Sequence, residues 1–341
     1  MATTVILGSG IIGLSTAYYL LERQPGSSVH LVDSSSELFS SASGYAAGFL
    51  AKDWHKPSVT PLGELSFEEH KRLAEKEGGG RSGGMQGVFR DPLKLCQFLL
   101  EKCKAAGVHV HHPATALSIH TDTKGELSGI RIGYTDSSNE IDIPATRILL
   151  SAGVWTPAVF ATLFKESTIN IPVTSLAGHS LVVKTPKGRD ADKSHAVFST
   201  MDDAFSPEIF SRPSGVIYIA GLNSSVIPPP GLATDATPVG ELMDLVKHAT
   251  QKLIASDGEL EIVREGLCFR PVTDRGTPFI GRFRDEQLGG GISTKPRGEG
   301  GVFLAVGHGP WGITLCLGTG KVVAELMHDE QLSANIDGLG L

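Results

Sequence analysis

The chain opens with a short unbroken apolar block, Val5-Ile6-Leu7, that gives way to the glycine run Gly8-Ser9-Gly10-Ile11-Ile12-Gly13. A helical stretch follows through Tyr18, Leu20 and Leu21, and Val29 to Val32 forms a second apolar block. Strand, glycine turn, helix, strand is the opening of a βαβ unit. Residues 53 to 90 break the pattern: they are polar, and Gly78-Gly79-Gly80 and Gly83-Gly84 predict a loop-rich connection or an exposed excursion. Order returns at Asp91-Pro92, a capping residue followed by a proline suited to the first helical position, after which Leu95, Phe98, Leu99 and Cys103 fall on one face. From Val108 to Ile143 short strands alternate with turns at Asp122 to Gly125 and Thr135 to Asn139, which predicts a small antiparallel sheet. Arg147-Ile148-Leu149-Leu150 and Val302 to Val306 are near-continuous apolar runs, the mark of strands buried on both faces. Between them, residues 157 to 265 carry proline- and glycine-punctuated strands, Ser180 to Val183 and Val216 to Ala220, around a helix from about Pro238 to Ala255. The chain closes with the loop Gly307-His308-Gly309-Pro310-Trp311-Gly312 and a helix from about Gly318 to Met327.

At 341 residues, 40% of them hydrophobic, the chain can bury one or two sizeable cores. Its net charge of −7 offers no basic field for a nucleic-acid backbone, so nucleic acid is not an expected partner. The four cysteines, Cys96, Cys103, Cys268 and Cys316, form no CxxC pair and are too few for a disulfide framework, which favours a reducing compartment and a cytoplasmic protein. No signal peptide or peroxisomal tripeptide is read, and no apolar run approaches the roughly 20 residues that span a bilayer. No metal site is expected.

The glycine run follows a strand, opens a helix and is followed by Asp33 at the end of the next strand, the context that makes GxGxxG specific for a dinucleotide. Gly8 permits the turn, Gly10 lets the backbone approach a pyrophosphate at the positive end of the helix, and Gly13 allows close helix–strand packing. Asp33 can bind ribose hydroxyls and disfavours a 2′-phosphate, which leaves NAD and FAD open and NADP the poorest fit. Two further segments point to a flavin. Ser40 to Gly48 is rich in small residues where backbone must lie along a long cofactor, and Gly307 to Gly312 would bring backbone N–H groups and a helix N-terminus to a flat ring that becomes anionic on reduction.

Five segments together, GSGIIG at Gly8 to Gly13, SASGYAAG at Ser41 to Gly48, ILLSAGVW at Ile148 to Trp155, GLCFRPVTDRGTPFIG at Gly266 to Gly281 and GHGPWGITLCLGTGKVVAELM at Gly307 to Met327, carry a resemblance across the whole chain. It resembles the flavin-dependent D-amino-acid oxidase, glycine oxidase and sarcosine oxidase superfamily, and within it a fungal subgroup similar in Ala51-Lys52-Asp53-Trp54. The resemblance implies an α/β fold: a discontinuous Rossmann-type FAD-binding domain at 1–54, 86–156 and 266–341, and a mostly antiparallel β-sheet substrate domain at 55–85 and 157–265. It implies an enzyme that oxidises the C–N bond of a small amine or amino acid by hydride transfer to flavin, with O2 as acceptor giving an imine and H2O2. An association of the fungal subgroup with endosomal sorting implies an alternative, a flavin-binding regulatory or adaptor protein with vestigial redox activity.

Carried over residue by residue, the resemblance puts Gly8, Gly10, Gly13 and Asp33 on the adenosine diphosphate, with Ile11, Ile12 and Ser34 beside them. It puts Ser43, Gly44 and Gly48 near pyrophosphate and flavin, Ala152 and Gly153 in a second dinucleotide contact, and His308, Gly309, Gly312, Ile313 and Thr314 along the isoalloxazine edge. Arg270 falls where relatives hold a substrate carboxylate; its fork suits two parallel hydrogen bonds, and its alternative is an ion pair. Cys268 falls where some relatives attach FAD through sulfur, and its alternative is a packed small hydrophobe. His308 is a candidate base or a positional residue beside the cofactor. His179, Tyr218, Trp311 and Lys52 are lesser candidates for the pocket wall. Where sarcosine oxidases hold the carboxylate with a lysine this chain has Trp311, and no match for their oxygen-activating lysine is found around Ile219 to Ser225.

Overall fold

A computed structural model describes residues 2–78, 91–184, 195–201, 205–212, 215–254 and 260–341; the glycines at 79, 80, 83 and 84 lie outside them. In chain order the elements are β1 (Thr4–Leu7), α1 (Ile11–Leu20), β2 (Val29–Val32), α2 (Ala42–Tyr45), α3 (Thr60–Gly78) and α4 (Pro92–Ala105). There follow β3 (His109–His111), β4 (Ala114–Thr121), β5 (Leu127–Tyr134), β6 (Glu140–Pro144), β7 (Arg147–Leu150) and α5 (Thr156–Leu163). The second half adds β8 (Thr174–Lys184), β9 (Ala196–Phe198), β10 (Glu208–Ser211), β11 (Val216–Ser224), α6 (Gly240–Leu253) and β12 (Glu261–Val272). It ends with β13 (Phe279–Arg282), α7 (Asp285–Leu288), β14 (Gly301–Val306) and α8 (Gly312–Met327).

The apolar blocks pair with one another. β14, β7, β1, β2 and β3 form a parallel run, with β13 added antiparallel at the β14 edge. Because successive side chains on a strand point to opposite faces, the sheet feeds two cores. Ile6, Leu149, Phe303 and Ala305 face a helical layer with Leu14, Leu62, Leu95, Leu99 and Val322, while Val5, Leu7, Ile148, Leu150 and Leu304 face Ile130, Ile132 and Phe160. The second core is covered by the antiparallel sheet β4-β5-β6, where the turn signals placed it.

A separate antiparallel sheet runs in the order β12-β8-β11-β10-β9. One face packs Leu181, Val183 and Ile219 on Met243 and Val246 of α6; the other presents Val182, Phe210 and Tyr218 toward Ala47 and Phe49. β12 begins before residue 266 and ends after it, so one continuous strand crosses the expected domain boundary.

Two expectations are corrected. Much of the polar excursion at 53 to 90 is the 19-residue helix α3, and the last helix begins at Gly312, not Gly318. The contacts of α3 are of a kind that apolar periodicity does not register, while α8 runs straight on from the turn Gly309–Trp311, whose glycine and proline read as loop. α3 is tied to its neighbours by buried polar groups: Ser66 Oγ donates to the Leu315 carbonyl at 3.1 Å, His70 Nε2 lies 2.9 Å from the Ile313 carbonyl, and Glu69 accepts from Tyr19 Oη at 2.7 Å and Lys321 Nζ at 2.9 Å. α8 carries glycines where α1 and α3 press against it. A Cβ on Gly320 would lie 2.4 Å from the Ser15 carbonyl carbon.

That contact is with backbone, so no rotamer relieves it. Although alanine gains about 1 kcal/mol over glycine in a helix, overpacking wins, and Gly320→Ala is expected to lower unfolding free energy by about 1–3 kcal/mol in denaturant titration. Gly340→Ala, where a Cβ meets nothing within 4 Å, is the neutral control.

Candidate functional site

The parallel strands end on a cavity of about 490 Å3. Its first wall is the β1–α1 turn. Gly8 sits at φ +104°, and a Cβ there would lie 2.6 Å from the Ser151 carbonyl oxygen, so the turn takes only glycine. Gly10, Ile11 and Ile12 line the cavity, while Gly13 stands behind, where a Cβ would meet the Gly8 oxygen at 2.1 Å. The Gly10 N-cap has no side chain to cap α1; instead Ser43 Oγ accepts from the Ile11 N–H at 2.9 Å. A hydroxyl from another segment thus holds the helix N-terminus on the cavity wall.

Asp33 and Ser34 line the same space from the end of β2. The Asp33 carboxylate is fixed by the Ser9 N–H on Oδ2 at 2.9 Å and the Ser35 N–H on Oδ1 at 3.0 Å. Each oxygen keeps a lone pair for a ligand hydroxyl. Ser43 and Gly48 continue the wall; Gly44 lies just behind it, where a Cβ would press on the Phe39 oxygen at 2.2 Å. Ala152 and Gly153, at the end of β7, close this side.

The opposite end is the start of α8. His308, Gly309, Trp311, Gly312 and Ile313 all line the cavity, and the helix has neither a side-chain cap nor an acidic residue in its first turn. Thr314 is one layer deeper and donates to the Phe49 carbonyl at 3.1 Å, tying α8 to the loop after Gly48. His308 is 4% exposed, and Nε2 lies 3.1 Å from Thr319 Oγ1. Burial brings its imidazole down to about 3, so it is neutral at ordinary pH.

β12 brings Cys268 and Arg270 to the wall. Burial pushes the Cys268 thiol up, against the partial opposition of Arg270 and Arg264. The Arg270 guanidinium reaches across β8 to donate to Asn223 Oδ1 on β11. Gly178 makes room: a Cβ there would lie 2.8 Å from Nη1. No ion pair to Arg270 occurs among the described residues, so the ion-pair alternative has no partner there.

The lesser candidates separate. Tyr218 and Trp311 line the cavity, and Tyr218 Oη donates to the Tyr45 carbonyl at 2.8 Å. His179 is buried on β8, where Nε2 accepts from the Val239 N–H at 3.1 Å, a packing role. Lys52 is half exposed and 3.6 Å from Glu68, off the wall. Sequence reading missed Phe198, Glu208 and Phe210, which line the cavity from β9 and β10. Strands of three and four residues carry too little alternation to be seen.

The donor set fits a dinucleotide. One cavity joins an N–H-rich helix start suited to a diphosphate, a fixed carboxylate suited to ribose hydroxyls, and a second uncapped helix start suited to a ring that gains negative charge. Among the described residues no His, Cys, Asp or Glu group could hold a metal ion, and no helix is long and apolar enough to cross a membrane.

The DAO family model, described as FAD dependent oxidoreductase, matches residues 3–86 and 79–326. An oxidoreductase of Schizosaccharomyces pombe, C1F5.03c, is 26% identical over 394 aligned positions that cover 98% of this chain and 96% of that one. Among solved structures, L-proline dehydrogenase from P. horikoshii superposes with TM-score 0.75 at 16% identity, covering 99% of this chain and 96% of that one. Glycine oxidase from Geobacillus kaustophilus superposes with TM-score 0.73 at 17% identity, covering 99% and 97%. These likenesses establish the shared fold.

The buried imidazole has a consequence for stability. The folded value of His308, about 3, is below the ordinary 6.5, so the unfolded chain binds the extra proton and stability is full above pH 6.5 and lost as pH falls toward 3. One such group gives a slope of up to about 1.4 kcal/mol per pH unit. His308→Gln is expected to flatten the dependence measured by denaturant titration between pH 6.5 and 5; an unchanged slope would show that the ring is not buried neutral.

Proposed function

Because the chain belongs to the DAO family of FAD-dependent oxidoreductases, we propose that it oxidises the carbon–nitrogen bond of a carboxylate-bearing amine, with O2 as the electron acceptor. The observation that carries this is Arg270, whose guanidinium stands in the cavity wall with a neutral amide as its one hydrogen-bond partner among the described residues. A planar, permanently charged fork in a partly dry cavity is suited to a carboxylate and would hold the rest of the molecule in a fixed orientation. Two structural neighbours, a proline dehydrogenase and a glycine oxidase, are named for the same class of chemistry, which supports the reading.

The residues that would hold FAD are those already placed: the α1 start with Ser43 for the diphosphate, Asp33 for the ribose, and the α8 start with Gly309 and Gly312 for the ring. Bound FAD would accept a hydride from the carbon next to nitrogen, and O2 would take up the electrons to leave an imine and hydrogen peroxide. The chain's own contribution is orientation by Arg270 and stabilisation of negative charge by the α8 N–H groups. His308, neutral and bonded to Thr319, positions the loop at the start of α8 and takes no proton. Cys268 is a protonated thiol, so FAD is held without a covalent bond in this proposal. An adaptor without turnover would have no use for an unpaired guanidinium in the cavity, which favours the enzyme over that alternative.

Anaerobic mixing of the holoprotein with a panel of amines and amino acids is expected to bleach the flavin absorbance, and air is expected to restore it with formation of hydrogen peroxide. No bleaching by any amine would sink the proposal. Arg270→Ala should retain the flavin band while kcat/KM for carboxylate substrates falls about 10²–10³-fold, the loss of two charge-assisted hydrogen bonds. Acid precipitation is expected to release the colour to the supernatant; colour retained in the pellet would establish a covalent link and make Cys268→Ser the next variant.

A further inference from the structure

Period-2 alternation puts Glu208 and Phe210 on the same face of β10, and both line the cavity. In register, Glu208 lies beside Phe198 on β9 and Ala220 on β11, and Ala220 lies beside Ser180 on β8. The floor next to the carboxylate is therefore made of small residues. Among the described residues the Glu208 carboxylate has no hydrogen-bond or ion-pair partner, its strand pairing being through backbone alone. It is half-buried, and a group of aromatic rings stands around its end of the cavity: Phe49–Trp54 at 5.1 Å between centroids, Phe49–Phe198 at 5.6 Å and Phe198–Phe210 at 5.8 Å. Trp54 and Phe198 are 55% and 51% exposed, so these rings form a rim at the cavity mouth.

Besides Asp33, the cavity wall thus carries two charges of opposite sign with no ion-pair partner among the described residues. Asn223, which fixes the Arg270 guanidinium, lies one strand over from Glu208 and three residues past its register partner Ala220. β11 bulges between Ala220 and Leu222, so at about 4.8 Å per strand and about 3.3 Å per ladder step the backbone positions of Glu208 and Asn223 are on the order of 8 Å apart.

An apolar or aromatic side chain would suit the rings but would bury the Glu208 carboxylate against nothing, and an acidic one would be repelled. A cation answers both features at once, since it pairs with the carboxylate and lies over ring faces. That cation is not the nitrogen to be oxidised: a nitrogen beside a carboxylate keeps its proton, and the oxidised nitrogen needs its lone pair. We propose that the substrate is an amino acid whose side chain ends in an ammonium or guanidinium group. Arg270 takes the carboxylate, and Glu208 within its aromatic rim takes the distal cation. The assignment rests on the oxidation proposed above and names its substrate class.

Binding of 6-aminohexanoate and of hexanoate to the FAD-loaded protein, followed by calorimetry, tests the site without turnover. The first carries a group for each charge and the second for only one. At least tenfold tighter binding of 6-aminohexanoate is expected, abolished by Glu208→Gln and retained by Glu208→Asp, with hexanoate binding unchanged in both. Equal binding of the two compounds, no binding of either, or a preference that survives Glu208→Gln overturns the proposal. Anaerobic reduction by lysine and arginine against leucine and phenylalanine separates the two levels. Flavin reduction by the neutral amino acids alone overturns the cation site and leaves the oxidation standing. Discrimination in binding with no reduction by any amino acid overturns the oxidation and leaves the cation site standing.

Discussion

Two helix starts facing one cavity are the constraint around which the molecule is built. Each presents backbone N–H groups that its own side chains leave uncapped, and neither places an acidic residue in its first turn. A helix end in that condition is tolerable where a hydroxyl, water or anion can answer it. At α1 the chain lends Ser43 from outside the helix. At α8 the backbone bends through Gly309, at φ +56°, so the first turn reaches the cavity wall. The two helix starts thus supply backbone electrostatics to the site, and Asp33, Arg270 and Glu208 are charged side chains on its wall.

Holding those two helices in register is the work of the surrounding packing. α1 and α8 pass close enough that Gly320 faces the Ser15 backbone, and α3 is bound to both through Glu69, His70 and Ser66. Burial and the ring of donors give this arrangement its rigidity: Lys321, Tyr19 and Arg72 hold the Glu69 carboxyl below its usual range against its desolvation, and burial brings His70 down to about 4. The antiparallel sheet then stands over the open side of the cavity, and β12 delivers Cys268 and Arg270 from it.

Much of this was legible in the sequence. The parallel strands are unbroken apolar runs, the glycine spacing fixes the first turn, and Asp91-Pro92 caps α4 as expected, with Asp91 Oδ1 accepting from the Leu93 N–H at 3.1 Å. The helix α3 escaped notice because it is fastened by polar groups, and the first turns of α8 because they follow directly on the glycine- and proline-bearing turn Gly309–Trp311. The cavity wall from β9 and β10 escaped for a different reason. Glu208 and Phe198 meet only through strand register, and nothing local in either segment announces it. Ser43, likewise, becomes a helix cap only when the chain folds back on Ile11.

The central claim is that this cavity holds FAD, and equilibrium titration of the FAD-free protein with FAD and with NAD, read by quenching of flavin fluorescence and by calorimetry, tests it most directly. One FAD per chain, with no saturable binding of NAD at the same concentrations, is the result expected. Binding of NAD in preference to FAD, or of neither, would contradict it.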